Sequence, residues 1–267
     1  MEIIRFIGPD QTISYGHHFE NNQAIRLAGN DFTDLKDTGE RVPVETLLSP
    51  VDPRAIFCIG LNYRAHAAEV GMELPPHPAL FMKSPAAVTA HGTPVIIPTS
   101  CQAKPEVDYE VELAVILGKA GKNIPVDKAL DHVFAYTCAN DISARRWQKH
   151  AGAGQWVKSK SFDTFCPLGP AMVTADEIPD PQDLNLSLKL NGETMQESHT
   201  SDMIFTIAEI ISFLSQDATL LPGSVILTGT PSGVGYTRNP RVFIQDGDSM
   251  EVEIQNIGRL INTVQSA

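Results

Sequence analysis

Short apolar runs that end in turn residues dominate the hydrophobic pattern of this chain. Three such runs lie before residue 50, namely IIRFI, TISYG and AIRLAG. Runs rich in β-branched residues recur to the end of the chain, and Asn191-Gly192 and Asp246-Gly247 between them are typical hairpin turns. The pattern predicts a protein built mostly from β-strands.

Helical periodicity is confined to a few segments. Three of them are short, namely NYRAHAAEVG, VDKALDHV and SARRWQKHAG. The longest, TSDMIFTIAEIISFLSQ, repeats isoleucines at helical spacing and offers Thr200 or Ser201 as the N-cap. Because these helices do not alternate regularly with strands, we predict a mostly-β α+β fold with edge helices rather than a doubly wound sheet.

A break in the pattern near residue 50 predicts a domain boundary. Pro50 and Pro53 interrupt the chain, and the apolar strand AIFCIG follows them. With 267 residues, and about 150 residues in a typical domain, one large domain with a small appendage fits best. We predict a small N-terminal β domain over residues 1–50 and a catalytic domain over residues 51–267.

The charge balance restricts the partners of the protein. Asp and Glu number 32 against 20 Lys and Arg, which leaves a net charge of −12. Such a surface repels nucleic acid and anionic membranes, so we expect neither as a partner. We expect a cytoplasmic location, because the N-terminus lacks the features of a leader, no apolar run reaches about 18 residues, and no Cys-x-x-Cys pair occurs.

Two glutamates in the segment DYEVELAVIL are the first candidate for chemistry. Side chains alternate along a strand, so Glu110 and Glu112 project from the same face. Two neighbouring carboxylates repel each other unless a cation lies between them. A half-exposed strand with a polar outer face explains this motif equally simply, and the motif by itself favours that alternative.

A third carboxylate, Asp141, follows the apolar strand VFAYTCAN and makes a metal site more plausible. Three carboxylates without a neighbouring His or Cys form an all-oxygen set, which suits Mg²⁺, Mn²⁺ or Ca²⁺ and disfavours zinc. The alternative is that Asn140-Asp141 forms an ordinary turn or the N-cap of the next helix. The residues alone leave the two interpretations balanced.

His66 and Glu69 are candidates for acid–base catalysis. They lie three residues apart in a predicted helix, so the carboxylate can orient the imidazole and raise its basicity. A solvated ion pair is the alternative, and it is the commoner origin of this spacing.

Two further segments contain candidate substrate contacts. Lys160 lies in GQWVKSKSFDTFCPLGP, which predicts a strand and loop beside a site, where a lysine can stabilise an enolate oxygen. The segment LTGTPSGVG lacks the spacing of nucleotide-binding loops, yet its amides and the Thr230 hydroxyl can bind a carboxylate.

Six motifs in one order resemble the fumarylacetoacetate hydrolase superfamily. They are FCIGLNYRAHAAE, LFMKSP, DYEVELAVILG, ANDISARRWQ, KSFDTFCPLGP and ILTGTPSGVG. The resemblance covers about residues 54 to 265 and looks closest to the branch of fumarylacetoacetate hydrolase domain-containing protein 2. It implies a rolled, mixed β-sheet, usually in a homodimer, behind a small N-terminal β domain.

The resemblance also implies a role for each candidate residue. Three of them become ligands of Mg²⁺ or Mn²⁺, namely Glu110, Glu112 and Asp141. His66 and Glu69 become the base dyad on a segment that forms a lid, and Lys160 faces the substrate oxygens. Thr230 contacts the substrate carboxylate. The segment Arg145-Arg146-Trp147 departs from the commoner Ala-Arg-Asp of the family, and from its charge we expect Arg145 to bind the anionic substrate together with Lys160.

The implied reaction uses a small 2-oxo acid or diacid and a metal-stabilised enolate. Proton transfer at C3 makes an oxaloacetate keto-enol tautomerase, and activation of water makes a C–C bond hydrolase of the acylpyruvase or fumarylacetoacetase type. Oxaloacetate decarboxylase and 2-hydroxyhepta-2,4-diene-1,7-dioate isomerase are the alternatives within the family. A non-catalytic metal-binding module is less consistent with the retained residues.

Overall fold

The computed structural model describes residues 1–29, 34–152 and 154–267, and strands far outnumber helices within them. The strands are β1 Glu2–Ile7, β2 Ile13–Glu20, β3 Gln23–Ala28, β4 Lys36–Pro43, β5 Thr46–Leu48, β6 Ile56–Gly60, β7 Ala79–Lys83, β8 Val88–Thr89, β9 Val95–Ile97, β10 Val107–Asp108, β11 Val111–Leu117, β12 Val133–Asn140, β13 Ser143–Ala144, β14 Cys166–Thr174, β15 Asn185–Leu190, β16 Glu193–His199, β17 Val225–Leu227, β18 Ser249–Ile254 and β19 Gly258–Ser266. The helices are α1 Arg64–Glu69, α2 Arg145–Lys149, α3 Trp156–Lys160 and α4 Ile207–Leu214.

The strands form two large mixed sheets. In the first, the order is β4-β3-β2-β1-β14-β12-β11-β17-β6-β7, with β5 and β8 attached to β1 and β14. In the second, the order is β16-β15-β18-β19-β9. Parallel pairs, such as β6 with β17, occur beside antiparallel ones in both sheets. This architecture confirms the predicted mostly-β α+β fold with mixed sheets.

The first five strands pack around a small apolar cluster to which β14 also contributes. Its members are Ile4, Phe6, Ala24, Val42, Val44 and Ala171. The same strands also join the main sheet, because β1 pairs with β14. The division at residue 50 stays a prediction, since the strands before it share a sheet and part of their core with β14.

The centre of the main sheet brings the candidate carboxylates together. Strands β11 and β12 are antiparallel, with Val111 opposite Asn140. The start of β11 therefore meets the end of β12, and the Asp141 amide donates a hydrogen bond of 2.9 Å to the Glu110 carbonyl. Every side chain of β11 is buried, because both faces of this strand are covered by other elements.

Helix α4 begins at Ile207, six or seven residues later than the N-caps considered from the sequence. Thr200–Asp202 forms a separate 3₁₀ turn, and the Phe205 amide donates a hydrogen bond of 2.9 Å to the Asn62 side-chain oxygen instead of to a helical carbonyl. Thr206 is the actual N-cap. The prediction of Thr200 or Ser201 was therefore wrong.

Thr206→Ala is expected to lower the free energy of unfolding by about 1 kcal/mol and the melting temperature by about 2 to 4 °C. Thr206 accepts from the Glu209 amide, and the Glu209 carboxylate accepts from the Thr206 amide at 2.7 Å, so alanine removes half of a capping box. Thr206→Ser keeps the acceptor and serves as the control in thermal unfolding. Equal losses in the two variants would contradict the capping role.

In the part of the chain that the structure describes, no helix is long and apolar enough to cross a membrane.

Candidate metal centre and active site

One group of three carboxylates among the described residues is arranged to hold a metal ion. Glu110, Glu112 and Asp141 each offer a ligand atom, and these atoms lie within 4.8 Å of one another. All three side chains are buried, with relative exposures of 6%, 2% and 0%. The half-exposed strand considered from the sequence does not describe this site, because all three carboxylates are buried.

The backbone around these carboxylates differs from the single strand that the pattern predicts. Strand pairing stops at Tyr109 and Glu110, and β11 starts only at Val111. The Asn140 side chain fills the gap, because its oxygen accepts a hydrogen bond of 2.9 Å from the Glu110 amide. Both glutamates nevertheless reach the same cluster, so the predicted convergence of their side chains is present.

Buried cations surround the carboxylates. The Lys160 ammonium lies 2.7 Å from Glu110 Oε2 and 2.5 Å from Asp141 Oδ2. Arg145 Nη2 lies 2.8 Å from the other oxygen of Glu110, and Lys83 Nζ lies 2.5 Å from the other oxygen of Asp141. Two of the three carboxylates are thus paired with side-chain cations on both of their oxygens.

Glu112 differs from Glu110 and Asp141, because the hydrogen-bond donor that contacts it is a backbone amide rather than a charged side chain. The Gly229 amide donates to Glu112 Oε2 at 2.7 Å. Burial raises the pKa of Glu112 well above its ordinary value, and the nearby Asp141 and Glu110 raise it further. In contrast, burial acts to raise the pKa of Glu110, but Lys160 and Arg145 outweigh it and hold this pKa at about 2.

The three buried carboxylates could hold a divalent cation. Their ligand atoms lie within 4.8 Å of one another, and a cation shared with Glu110 and Asp141 would give the buried Glu112 carboxylate an ionic partner in addition to the Gly229 amide. The donor set contains oxygen only, which matches the preference of Mg²⁺ and Mn²⁺. The fit therefore rests on charge and donor type together.

Gly229 is required by the close approach of two chain segments. Its φ of +101° lies in the region that favours glycine, and a Cβ there would lie 2.7 Å from the Asn62 Cβ. The approach allows the Asn62 side chain to donate to the Thr228 carbonyl at 2.8 Å. The end of β17 and the start of α1 are thereby held beside Glu112.

His66 and Glu69 form a hydrogen-bonded pair at the end of α1. His66 Nδ1 lies 2.9 Å from Glu69 Oε2, and the Gly233 amide donates to Glu69 Oε1 at 2.9 Å. Partial burial acts to raise the pKa of Glu69, but these two hydrogen bonds lower it overall. An ionised Glu69 accepts a hydrogen bond from Nδ1–H, and in that tautomer Nε2 of His66 can act as a base.

Helix α1 is fixed to the segment before α4. The Ala65 amide donates to the Asp202 carboxylate at 3.0 Å, and the Arg64 guanidinium donates to the Asp202 carbonyl at 3.2 Å. Glu69 joins the other end of the helix to the Gly233 turn. The predicted lid segment is thus folded over residues of two other loops, and its movement stays a prediction.

Thr230 is held by a glutamine. Its hydroxyl oxygen accepts a hydrogen bond of 2.8 Å from Gln196 Nε2, while Gln196 Oε1 accepts from the Val111 amide at 2.9 Å. Because the oxygen is used as an acceptor, the hydroxyl proton can be donated to another group. This geometry is compatible with the expected contact to a substrate carboxylate.

Lys160 itself lies in a helix, so the expectation of a strand and loop was wrong for the first part of its segment, while a loop and strand β14 follow as expected. Helix α3 has five residues, which is too short for an amphipathic pattern to show in the sequence. Trp156 packs edge-on against Phe81 with ring centroids 5.3 Å apart and anchors this helix on β7. Lys160, at the end of the helix, is consequently directed into the core.

Arg145 is buried against acidic groups of the centre. Its Nε lies 2.7 Å from Asp108 Oδ2, and its Nη1 donates to Gln148 at 3.0 Å. Together with the contact to Glu110, these bonds occupy the three nitrogens of the guanidinium. The structure therefore assigns Arg145 a role in orienting Glu110, and the predicted contact with substrate stays a prediction.

Sequence reasoning missed Lys83 and Asp108. Lys83 lies in the motif LFMKSP and contacts Asp141 directly, while Asp108 accepts from Arg145 and from the Gly235 and Tyr236 amides. The signal for Asp108 was its position two residues before Glu110. No such signal pointed to Lys83. In the sequence, Leu80 and Met82 suggest that the opposite face of β7 is the buried one, whereas both are exposed in the structure.

The chain matches a family of known enzymes over most of its length. Residues 55–265 match the sequence family described as fumarylacetoacetate (FAA) hydrolase C-terminal. This chain belongs to the fumarylacetoacetate hydrolase family. It is therefore an enzyme, as the retained site residues predict.

Three similar proteins show which activities are named within this family. The mitochondrial oxaloacetate tautomerase FAHD2A of Bos taurus is 46% identical over 220 residues, which are 82% of this chain and 69% of that protein. A 5-carboxymethyl-2-hydroxymuconate delta-isomerase from Mycobacterium smegmatis superposes with a TM-score of 0.86 and 33% identity over 100% of both chains. A fumarylacetoacetate hydrolase from Exiguobacterium antarcticum gives a TM-score of 0.82, also with 33% identity over 100% of both chains. Family members with this fold thus carry the names of tautomerases, isomerases and hydrolases.

Proposed function

We propose that this enzyme is a Mg²⁺- or Mn²⁺-dependent oxaloacetate keto-enol tautomerase. The observation that carries the proposal is that one loop contacts both parts of the candidate site: the Gly229 amide donates to Glu112 of the carboxylate cluster, and the Gly233 amide donates to Glu69, which holds the base His66. The bovine relative that is 46% identical and is named an oxaloacetate tautomerase supports the choice of reaction.

The ligands of the ion in this proposal are Glu110, Glu112 and Asp141. The ion supplies positive charge that stabilises an enolate of a 2-oxo acid. Lys160, whose ammonium lies beside Glu110 and Asp141, can donate a hydrogen bond to the C2 oxygen of the substrate. Thr230 donates its hydroxyl proton to the substrate carboxylate.

Proton transfer is assigned to His66. Its Nε2 accepts a proton from C3 of the keto form while Glu69 keeps Nδ1 protonated. Lys160 donates a proton to the C2 oxygen to give the enol. His66 then loses its proton to water and Lys160 regains one from water, so the tautomerisation proceeds without loss or gain of atoms. The reverse sequence converts the enol to the keto acid.

Oxaloacetate favours this outcome over hydrolysis for a chemical reason. Its C4 is a carboxylate, which is a poor electrophile, so a base beside it moves protons rather than activating water against it. An acylpyruvate has a ketone at C4, and the same dyad could activate water there. Hydrolysis of the acylpyruvase type is thus the second candidate, supported by the structural similarity to the Exiguobacterium antarcticum hydrolase.

The deciding experiment follows enol decay and pyruvate release from oxaloacetate side by side, with the purified protein and Mg²⁺. We expect faster enol decay without pyruvate, and loss of the acceleration in EDTA. Release of pyruvate from oxaloacetate would instead show a decarboxylase. Release of acetate and pyruvate from acetylpyruvate would show a hydrolase, and 2-hydroxyhepta-2,4-diene-1,7-dioate tests the isomerase alternative.

The homodimer and the cytoplasmic location expected from the sequence are part of the proposal. Animal relatives such as the bovine one carry the word mitochondrial in their names, which favours a mitochondrial location for those proteins. Fractionation of cells that produce the chain distinguishes the two compartments.

A further inference from the structure

Lys83 is a buried ammonium group without a role in the mechanism above. It lies at the end of β7 on the same face as Phe81, and its side chain is 0% exposed. Its Nζ lies 2.5 Å from Asp141 Oδ1 and donates to the Ile142 carbonyl at 3.2 Å. A fully buried lysine is rare in proteins, because removing an ammonium from water is costly unless the charge is paired.

Lys83 and Lys160 contact opposite oxygens of Asp141. Lys160 reaches Oδ2 and also touches Glu110, so its ammonium lies between two of the three carboxylates. A cation shared by these carboxylates needs that position, and Lys160 must withdraw from it when the ion binds. Lys83 has backbone and carboxylate partners away from Glu110, so nothing requires it to move.

We propose that Lys83 is a positioning residue that restricts Asp141 to binding the ion through Oδ2 alone, and that it thereby lowers the affinity for Ca²⁺ relative to Mg²⁺. The proposal rests on the metal centre of the proposed function and adds to it the basis of its ion selectivity.

The physical reason is the difference in coordination between the two ions. Mg²⁺ requires a near-octahedral set of six ligands, to which a carboxylate contributes one oxygen. Ca²⁺ accepts up to eight ligands and commonly takes both oxygens of a carboxylate. A hydrogen bond from Lys83 to Oδ1 withholds the second oxygen, which costs Ca²⁺ a ligand and leaves Mg²⁺ unaffected.

The charge of Lys83 acts separately from this geometric effect. A positive group beside a ligand repels every divalent cation to a similar extent. Charge therefore changes both dissociation constants by a common factor, whereas the loss of a ligand oxygen changes their ratio. The ratio of the two constants is the quantity that a merely structural lysine would not alter.

The test measures Mg²⁺ and Ca²⁺ binding by isothermal titration calorimetry on metal-free protein. We expect Lys83→Met, which keeps the length and flexibility of the side chain, to tighten Ca²⁺ binding by roughly tenfold relative to Mg²⁺ as one oxygen becomes available. Lys160→Met is the matched control, because it removes one positive charge from the same carboxylate. It is expected to change both constants by the same factor.

The outcomes separate this proposal from the metal centre itself. A wild-type protein that binds neither ion would overturn both. A wild-type protein that binds the ions, together with a Lys83→Met variant whose ratio is unchanged, would overturn only the role of Lys83.

A second measurement covers the case in which Lys83→Met does not fold. Crystals of the wild-type protein soaked in Ca²⁺ are expected to show Asp141 bound through one oxygen, with Lys83 on the other. An ion held by both oxygens of Asp141 would contradict the proposal.

Discussion

Replacing Glu110 by glutamine is expected to abolish both divalent-ion binding and turnover. The substitution removes one of three charged ligands and weakens the contacts to Lys160 and Arg145, which are arranged around a carboxylate. Loss of the ion removes several kcal/mol of enolate stabilisation. A loss of about 4 kcal/mol lowers kcat by about 10³-fold.

The measurement combines Mg²⁺ titration calorimetry with the rate of oxaloacetate enol decay. Glu106→Gln is the matched control, because Glu106 is also buried and lies 3.1 Å from the Arg146 guanidinium, outside the group of three carboxylates. We expect this control to keep ion binding and most of the rate. Wild-type affinity for Mg²⁺ in the Glu110→Gln protein would show that the three carboxylates do not form the metal centre.

The second large effect is expected at His66. His66→Asn removes the nitrogen that accepts the C3 proton and keeps a polar side chain beside Glu69. General acid–base catalysis contributes about 10²- to 10⁴-fold, so kcat is expected to fall by at least about 10²-fold. The dissociation constant for Mg²⁺ is expected to change little, because His66 is not one of the three ligands.

The control for this variant is His77→Asn. His77 lies in the loop between α1 and β7 and stacks on Phe213, with 6.0 Å between the ring centroids. It is expected to retain the full rate. Steady-state kinetics with saturating Mg²⁺ distinguishes the two variants. An unchanged kcat in His66→Asn would exclude proton transfer by the dyad and would direct attention to Lys160.

The candidate site could be recognised in the sequence where its residues carry unusual patterns. Glu110 and Glu112 alternate on a strand that is otherwise apolar, and His66 and Glu69 have the spacing of one helical turn. These patterns depend on local geometry, so the sequence contains them directly. The local pattern could not place Asp141 in the site, because only the antiparallel register of β11 and β12 brings it beside Glu110.

Other members of the centre depend on contacts between distant segments. Lys83 lies 58 positions before Asp141, and it looks like an exposed residue in the sequence because Leu80 and Met82 make the opposite face of its strand look buried. The segment before α4 likewise contacts Asn62, which is 143 positions from Phe205. A periodicity in the sequence cannot report such contacts, because it describes only neighbours within one element.

The sequence by itself determined the mostly-β fold and the family, and it pointed to the candidate carboxylates and the candidate base dyad, since alternation, turn residues and motif order are local properties of the chain. The tertiary structure alone decided which cation contacts which oxygen. Arg145 and Lys160 each contact one oxygen of Glu110, and Lys83 and Lys160 each contact one oxygen of Asp141. The physical reason is burial, because pairing among buried charges depends on distances between side chains that only the complete fold sets.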